Sequence, residues 1–302
     1  MDIVRFVGET GAPRIGVLDG EVVTAFPGDV MLSELLGLRL ADLRSRCADV
    51  NGPARPISEV RLLPPVDGRT EIWAAGVTYE NSRLARMEES EHDADIYARV
   101  YDAPRPELFF KATAWKARGN AEPIAVRGDS PINVPEPEAA VVVNAFGEIV
   151  GVTICNDLSS RSIEAENPLY IPQAKIYAGS CAVGPWIRPI WEVESLDDLA
   201  ITLTITHGEA TRWTGEASTG QLKRTPAELA ACLFSSDDFP EGAIVSTGTC
   251  LVPELPFTLE SGDVVSVSLG TVGVLSNTVA VGLEEYRQAL AALPSEFHAA
   301  AS

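Results

Sequence analysis

Short apolar runs broken by glycine, proline and aspartate recur along most of the chain, and they predict a mainly β protein with some α structure. Residues 3–7 and 14–18 read as strands, and Asp19-Gly20 reads as a hairpin turn leading into Val22-Val23. Residues 31–43 place Leu32, Leu35, Leu36 and Leu43 on a helical stripe. Pro53, Pro56, Pro64 and Pro65 then punctuate the chain before Ile72-Trp73-Ala74 opens a new apolar segment. A small N-terminal α+β domain over 1–65 and a larger domain over 66–302 follow from that break. Beyond it, residues 138–143, 149–155, 182–187, 200–206, 243–251 and 264–269 are short, β-branched and bounded by turn residues. Residues 81–101 and 225–234 are the helical stretches, the second with Thr225-Pro226 as cap and first position.

Composition narrows the functional classes. With 46% hydrophobic and 22% charged residues, the 302-residue chain has the make-up of a packed globule, which excludes disorder and coiled coil. Its 43 acidic residues against 23 basic ones give a net charge of −20, a field that repels nucleic acid and anionic membranes. No apolar stretch reaches bilayer length and residues 1–5 have no signal-peptide character, so a cytoplasmic location is expected. The five cysteines are widely spaced without a C-x-x-C pair, and reduced buried thiols are expected rather than disulfides or a zinc–thiolate centre. The three histidines form no H-E-x-x-H, which leaves carboxylates as the donors for any metal.

Pro135-Glu136-Pro137-Glu138 supplies such donors. On an extended chain residues i and i+2 share a face, so the two glutamates project together at the mouth of the apolar strand 139–143. Taken alone, this pattern also suits a solvated strand end. Asp157 closes the next strand, and a hairpin turning at Phe146-Gly147 brings it beside the glutamates. Three carboxylates without histidine or cysteine suit a hard cation, Mg²⁺ or Mn²⁺.

The ordered series from Val134-Pro135-Glu136-Pro137-Glu138-Ala139 through Cys155-Asn156-Asp157-Leu158-Ser159-Ser160-Arg161, Lys175 and Val183-Gly184-Pro185-Trp186 resembles the fumarylacetoacetate hydrolase superfamily. Thr247-Gly248-Thr249, Gly262-Asp263 and the run 270–277 resemble its closing segment. Gly76-Val77-Thr78-Tyr79, the run 101–111 and the stretches 159–164 and 166–170 are similar to a narrower branch, the 2-keto-3-deoxy-pentonate (arabinonate/xylonate) dehydratases. The resemblance implies a mixed β-sandwich roll that assembles as a homodimer or homotetramer. It puts Glu136, Glu138 and Asp157 at metal-ligand positions for Mg²⁺ and gives Lys175 and Glu107 catalytic roles. Thr249, Tyr79, Ser82, Arg83 and Arg161 become substrate-binding candidates, with Arg86 as a further cation.

The expected reaction is that of a lyase. A small anionic 2-keto acid, a 2-keto-3-deoxy sugar acid, chelates the ion and loses a C3 proton to give a metal-stabilised enolate, which expels the C4 hydroxyl on the way to 2,5-dioxopentanoate. Lys175 is assigned as the base, since burial near a cation moves a lysine toward its neutral form, and Glu107 as proton donor or water-positioning group. Acylpyruvate hydrolysis and oxaloacetate decarboxylation use the same metal site. Hydrolase members carry a histidine where Ser82 stands, so hydrolysis is disfavoured, although His92 lies downstream in the same segment. A non-catalytic oligomer-forming protein is the third class, and its mark would be loss of a ligand carboxylate or of the lysine. The polar segment 81–101 is a candidate lid.

Overall fold

The computed structural model describes residues 1–82 and 94–294. Its strands are β1 (Asp2–Val7), β2 (Pro13–Asp19), β3 (Val22–Ala25), β4 (Ala54–Pro56), β5 (Leu62–Leu63), β6 (Glu71–Gly76), β7 (Glu107–Thr113), β8 (Ile124–Val126) and β9 (Asn133–Val134). They continue with β10 (Pro137–Val143), β11 (Ile149–Asp157), β12 (Ser159–Ser160), β13 (Cys181–Pro189), β14 (Ala200–His207), β15 (Ala210–Ser218), β16 (Ala243–Ser246), β17 (Asp263–Leu269) and β18 (Gly273–Val281).

A large sheet runs in the order β4-β3-β2-β1-β13-β11-β10-β16-β6-β7, with β5 attached to β1, and a second sheet runs β15-β14-β17-β18-β8. The N-terminal residues extend the large sheet directly, because β1 pairs antiparallel with β13 at Ile3 and Ile187. Every residue of β10 is buried, which explains the unbroken apolar run over residues 139–143: this strand is covered on both faces. On one face Val152, Ile154 and Ala139 pack against Ile201, Leu203, Ile205, Val265 and Val267 of the second sheet. Further along the same face, Leu229, Ala230 and Leu233 of the helix Pro226–Leu233 pack on Val141, Val143 and Val245; on the opposite face Leu32, Leu35, Leu36 and Leu43 share a cluster with Ala140, Val142 and Ile244. In β14 and β17 buried positions alternate with more accessible ones, as in a sheet with one face in the core and one toward water.

Two sequence expectations change, and a third falls partly outside the described residues. The helix expected over 31–43 is two helices, Leu32–Leu36 and Leu40–Ala48. Gly37 closes the first by donating its N–H to the Ser33 carbonyl at 3.0 Å. Arg39 then enters the second in an extended conformation, and Glu148 accepts from the Leu40 N–H at 2.8 Å; this partner far along the chain is invisible to a leucine stripe. The strand expected over 243–251 stops at Ser246, for a reason that belongs to the site below. The segment 83–93, with Arg83, Arg86 and His92, lies outside the described residues, and the helix Ala94–Asp102 is the described remainder of the stretch expected to be helical and lid-like.

All five cysteines are free. Burial pushes the Cys47 and Cys250 thiols up to about 12; Cys155 and Cys181 are buried too, whereas Cys232 is half-exposed. Because the thiolate is the reactive form, Ellman's reagent at about pH 8 should titrate Cys232 promptly and the other four only after denaturation. A second rapid equivalent in the native protein would contradict this packing.

Candidate metal centre and active site

The antiparallel pairing of β10 with β11 sets the site. Pro137 lies opposite Asn156 and Glu138 opposite Cys155, so Asp157 at the end of β11 meets the two glutamates at the start of β10. One carboxylate oxygen from each of Glu136, Glu138 and Asp157 lies within 4.8 Å of the others, and all three residues are buried.

Cations and donors surround this cluster unevenly. Lys175, 2% exposed at the end of the helix Ile171–Lys175, places Nζ 2.5 Å from Glu136 Oε2 and 3.0 Å from Asp157 Oδ2. Arg161 donates to Glu136 Oε1 at 3.0 Å. Lys111, on β7, brings Nζ within 2.5 Å of Asp157 Oδ1. The donors on Glu138 are neutral: the Ser246 hydroxyl at 2.5 Å and the Gly248 N–H at 2.8 Å, both on Oε2. Burial and then the Asp157 carboxylate therefore hold the Glu138 carboxyl well above the ordinary carboxylate range.

The Gly248 donor explains why β16 ends early. Gly248 has φ +91°, and a Cβ there would lie 2.0 Å from Thr78 Oγ1. Only glycine permits this close approach. The turn directs its N–H at Glu138 instead of into the ladder.

A cavity of about 30 Å³ opens onto the carboxylates, with room for an ion or a single water. Glu107, Ser82, Thr249, Glu164, Phe109 and Lys175 line it with the three carboxylates. A much larger cleft, about 900 Å³, lies beside β1 and β2 between Arg14, Asp67, Trp115 and Arg118. Its charges are of both signs and it has no converging carboxylate set, so the chemistry is placed in the smaller cavity.

The sequence candidates divide accordingly. Glu107, Ser82 and Thr249 reach the cavity wall. The Ser82 hydroxyl donates to the Tyr79 carbonyl at 2.8 Å, and the Thr249 hydroxyl lies 3.1 Å from the Pro137 carbonyl. Arg161 is buried and acts on the site through Glu136. Tyr79, expected at the substrate, is instead a core residue 1% exposed, packed with the apolar cluster of the second sheet; its ring follows the burial demand of the chain leaving β6. Two positions that the structure brings to the site had no assigned role in the sequence. Glu164 is buried on the cavity wall, three residues after Arg161 in the helix Arg161–Glu166. Lys111 is the other, and its only signal is a charge set inside the run Leu108-Phe109-Phe110-Lys111-Ala112.

The donor set fits a hard divalent cation. Magnesium takes six oxygen ligands in near-octahedral geometry, and buried like charges of this kind need a positive partner. Among the described residues no helix is long and apolar enough to cross a membrane.

Residues 72–280 match the family described as fumarylacetoacetate (FAA) hydrolase C-terminal, and residues 1–65 match the Rv2993c-like N-terminal family. The chain is 47% identical over 215 residues to the probable 2-keto-3-deoxyxylonate dehydratase of Haloferax volcanii, covering 71% of this chain and 73% of that protein. It is 41% identical over 226 residues to the 2-dehydro-3-deoxy-D-arabinonate dehydratase of Saccharolobus solfataricus, covering 74% and 76%. Among solved structures, 2-keto-3-deoxy-D-arabinonate dehydratase complexed with magnesium and 2,5-dioxopentanoate superposes with a TM-score of 0.80 at 34% identity, over 93% of this chain and 99% of that one. The mainly β roll with an N-terminal α+β unit expected from the sequence is the fold these proteins share.

Proposed function

This chain belongs to the fumarylacetoacetate hydrolase family, and we propose that within it the protein is a Mg²⁺-dependent hydro-lyase that converts a 2-keto-3-deoxy-pentonate into 2,5-dioxopentanoate. The observation that carries the reading is the buried carboxylate triad within 4.8 Å with a lysine ammonium against it. It is supported by the dehydratase relatives and by the magnesium and 2,5-dioxopentanoate in the similar solved structure.

In this reading Glu136, Glu138 and Asp157 hold the ion. A divalent cation bound there supplies Lewis-acid polarisation of the substrate's keto oxygen, which eases loss of a C3 proton. Lys175, having released its own ammonium proton to solvent once a bound cation would compensate Glu136 and Asp157, takes the C3 proton through Nζ. Glu107, on the cavity wall, gives a proton to the C4 hydroxyl, which leaves as water. Proton shifts then turn the unsaturated product into the 2,5-dioxo acid, so the net change is loss of one water. Thr249 and Ser82 present hydroxyls to the substrate, Arg83 is retained as a cation for its carboxylate, and Arg161 keeps Glu136 in place.

Residues 1–65 are read as a small domain that extends the sheet through β1, and 66–302 as the catalytic domain. The five free cysteines support work in a reducing compartment, the cytoplasm. The exposed Trp115, Leu169 and Tyr170 provide apolar surface for a homodimer or homotetramer.

Purified protein with Mg²⁺ should form 2,5-dioxopentanoate from a 2-keto-3-deoxy-pentonate, and little pyruvate from an acylpyruvate or from oxaloacetate. Hydrolysis of the acylpyruvate as the fastest reaction would replace this reading. Against that outcome stands the cavity wall itself, which among the described residues carries no histidine.

A further inference from the structure

Lys111 is 1% exposed, and its ammonium group is held by two backbone carbonyls and an ion pair with a site carboxylate. Nζ donates to the Lys175 carbonyl at 2.6 Å and to the Leu158 carbonyl at 3.0 Å, and lies 2.5 Å from Asp157 Oδ1. Asp157 Oδ2, the other oxygen, faces Lys175 Nζ at 3.0 Å. The backbone prepares this contact. In the pairing of β6 with β7, Ile72 lies opposite Ala112 and Trp73 opposite Phe110, so Lys111 is the extra residue of a bulge. Such bulges re-aim a side chain at the cost of one ladder position.

We propose that Lys111 is a positioning residue that couples the metal carboxylate to the lysine base. By taking Asp157 Oδ1 it turns Oδ2 toward the cavity. By holding the Lys175 carbonyl, which also accepts from Ser180 Oγ at 2.8 Å, it fixes the end of the short helix from which the Lys175 side chain projects. One buried charge thus sets the distance between a cation ligand and the base. The inference rests on the reading of Asp157 as a cation ligand.

The test uses Lys111→Met, with Mn²⁺ binding followed by electron paramagnetic resonance and all values scaled to the folded fraction. Mn²⁺ affinity should fall by about 10–100-fold, the usual effect of losing a group that orients a metal ligand. Saturating metal should then restore occupancy but leave kcat at least roughly tenfold low, because the base stays displaced. A strut without this role would lower the melting temperature only. Unchanged or tighter Mn²⁺ binding together with normal kcat in the folded variant overturns the proposal.

Should Lys111→Met fail to fold, the double variant Lys111→Met/Asp157→Asn decides. Recovery of folding supports the pairing, since the unpaired buried carboxylate was then the fault; continued failure overturns it. If the unaltered protein itself binds no Mn²⁺, the metal reading fails, while the pairing of Lys111 with Asp157 is still judged by the melting temperatures of the single and double variants.

Discussion

Lys175→Met is expected to lower kcat by about 10²–10⁴-fold, the range that a positioned proton-transfer group contributes, while Mg²⁺ still binds. Methionine keeps the apolar stem and the volume of the slot but has no group to accept a proton. The variant also loses the ammonium 2.5 Å from Glu136 and 3.0 Å from Asp157. Removing one partner from a buried ion pair costs about 3–5 kcal/mol because the remaining charge is left uncompensated. Without metal the variant should therefore melt well below the parent protein. Mg²⁺ should recover much of that loss, as a ligand at about 100 times its Kd adds about 2.7 kcal/mol and here also neutralises the buried, uncompensated carboxylate charge. The decisive pair of measurements is kcat at saturating Mg²⁺ and the melting temperature with and without the ion. Near-normal turnover would remove Lys175 as the base, and melting indifferent to Mg²⁺ would remove the triad as the cation site.

That experiment concerns residues the sequence already groups. Glu136, Glu138 and Asp157 were legible because strand periodicity and a hairpin are local rules: two residues apart means one face, and a tight turn brings the far ends together. The wholly apolar run of β10 likewise announced a strand covered on both faces. What the sequence hid depends on partners distant along the chain. Gly248 turns away from its strand to serve Glu138, 110 positions earlier. Leu40 begins a new helix with Glu148 as acceptor, 108 positions later. β15 has no buried residue and is rich in polar ones, so neither alternation nor apolar content marks it. Lys111 is the instructive case, because a lysine between Phe110 and Ala112 contradicts a buried strand unless a buried anion awaits it. The contradiction was visible in the sequence; the anion that resolves it was not.

Glu138→Gln should separate stability from function, with effects of opposite sign. Gln retains the shape of Glu138, and its carbonyl oxygen can still accept from Ser246 and Gly248. The variant lacks one of three anionic ligands, so Mg²⁺ affinity should fall by at least the roughly 10–100-fold that follows loss of a mere orienting group, and turnover with it. Metal-free stability should move the other way. In the parent protein burial and Asp157 hold the Glu138 carboxyl far above its ordinary range, so the folded state retains a proton that the unfolded chain has released. Stability of the metal-free protein then falls as pH rises from about 4.3, the unperturbed glutamate value, toward the raised folded value. A neutral amide abolishes that contribution to the slope, and so should Mg²⁺ in the parent protein by compensating the charge. Denaturant titrations of both proteins between about pH 5 and 8, with and without Mg²⁺, read these slopes directly. A metal-free Glu138→Gln variant less stable than its parent at the upper end of that range would mean that the carboxylate is already compensated without the ion. The geometry argues otherwise, since both donors on Glu138 Oε2 are neutral and the ammonium of Lys175 is shared between Glu136 and Asp157.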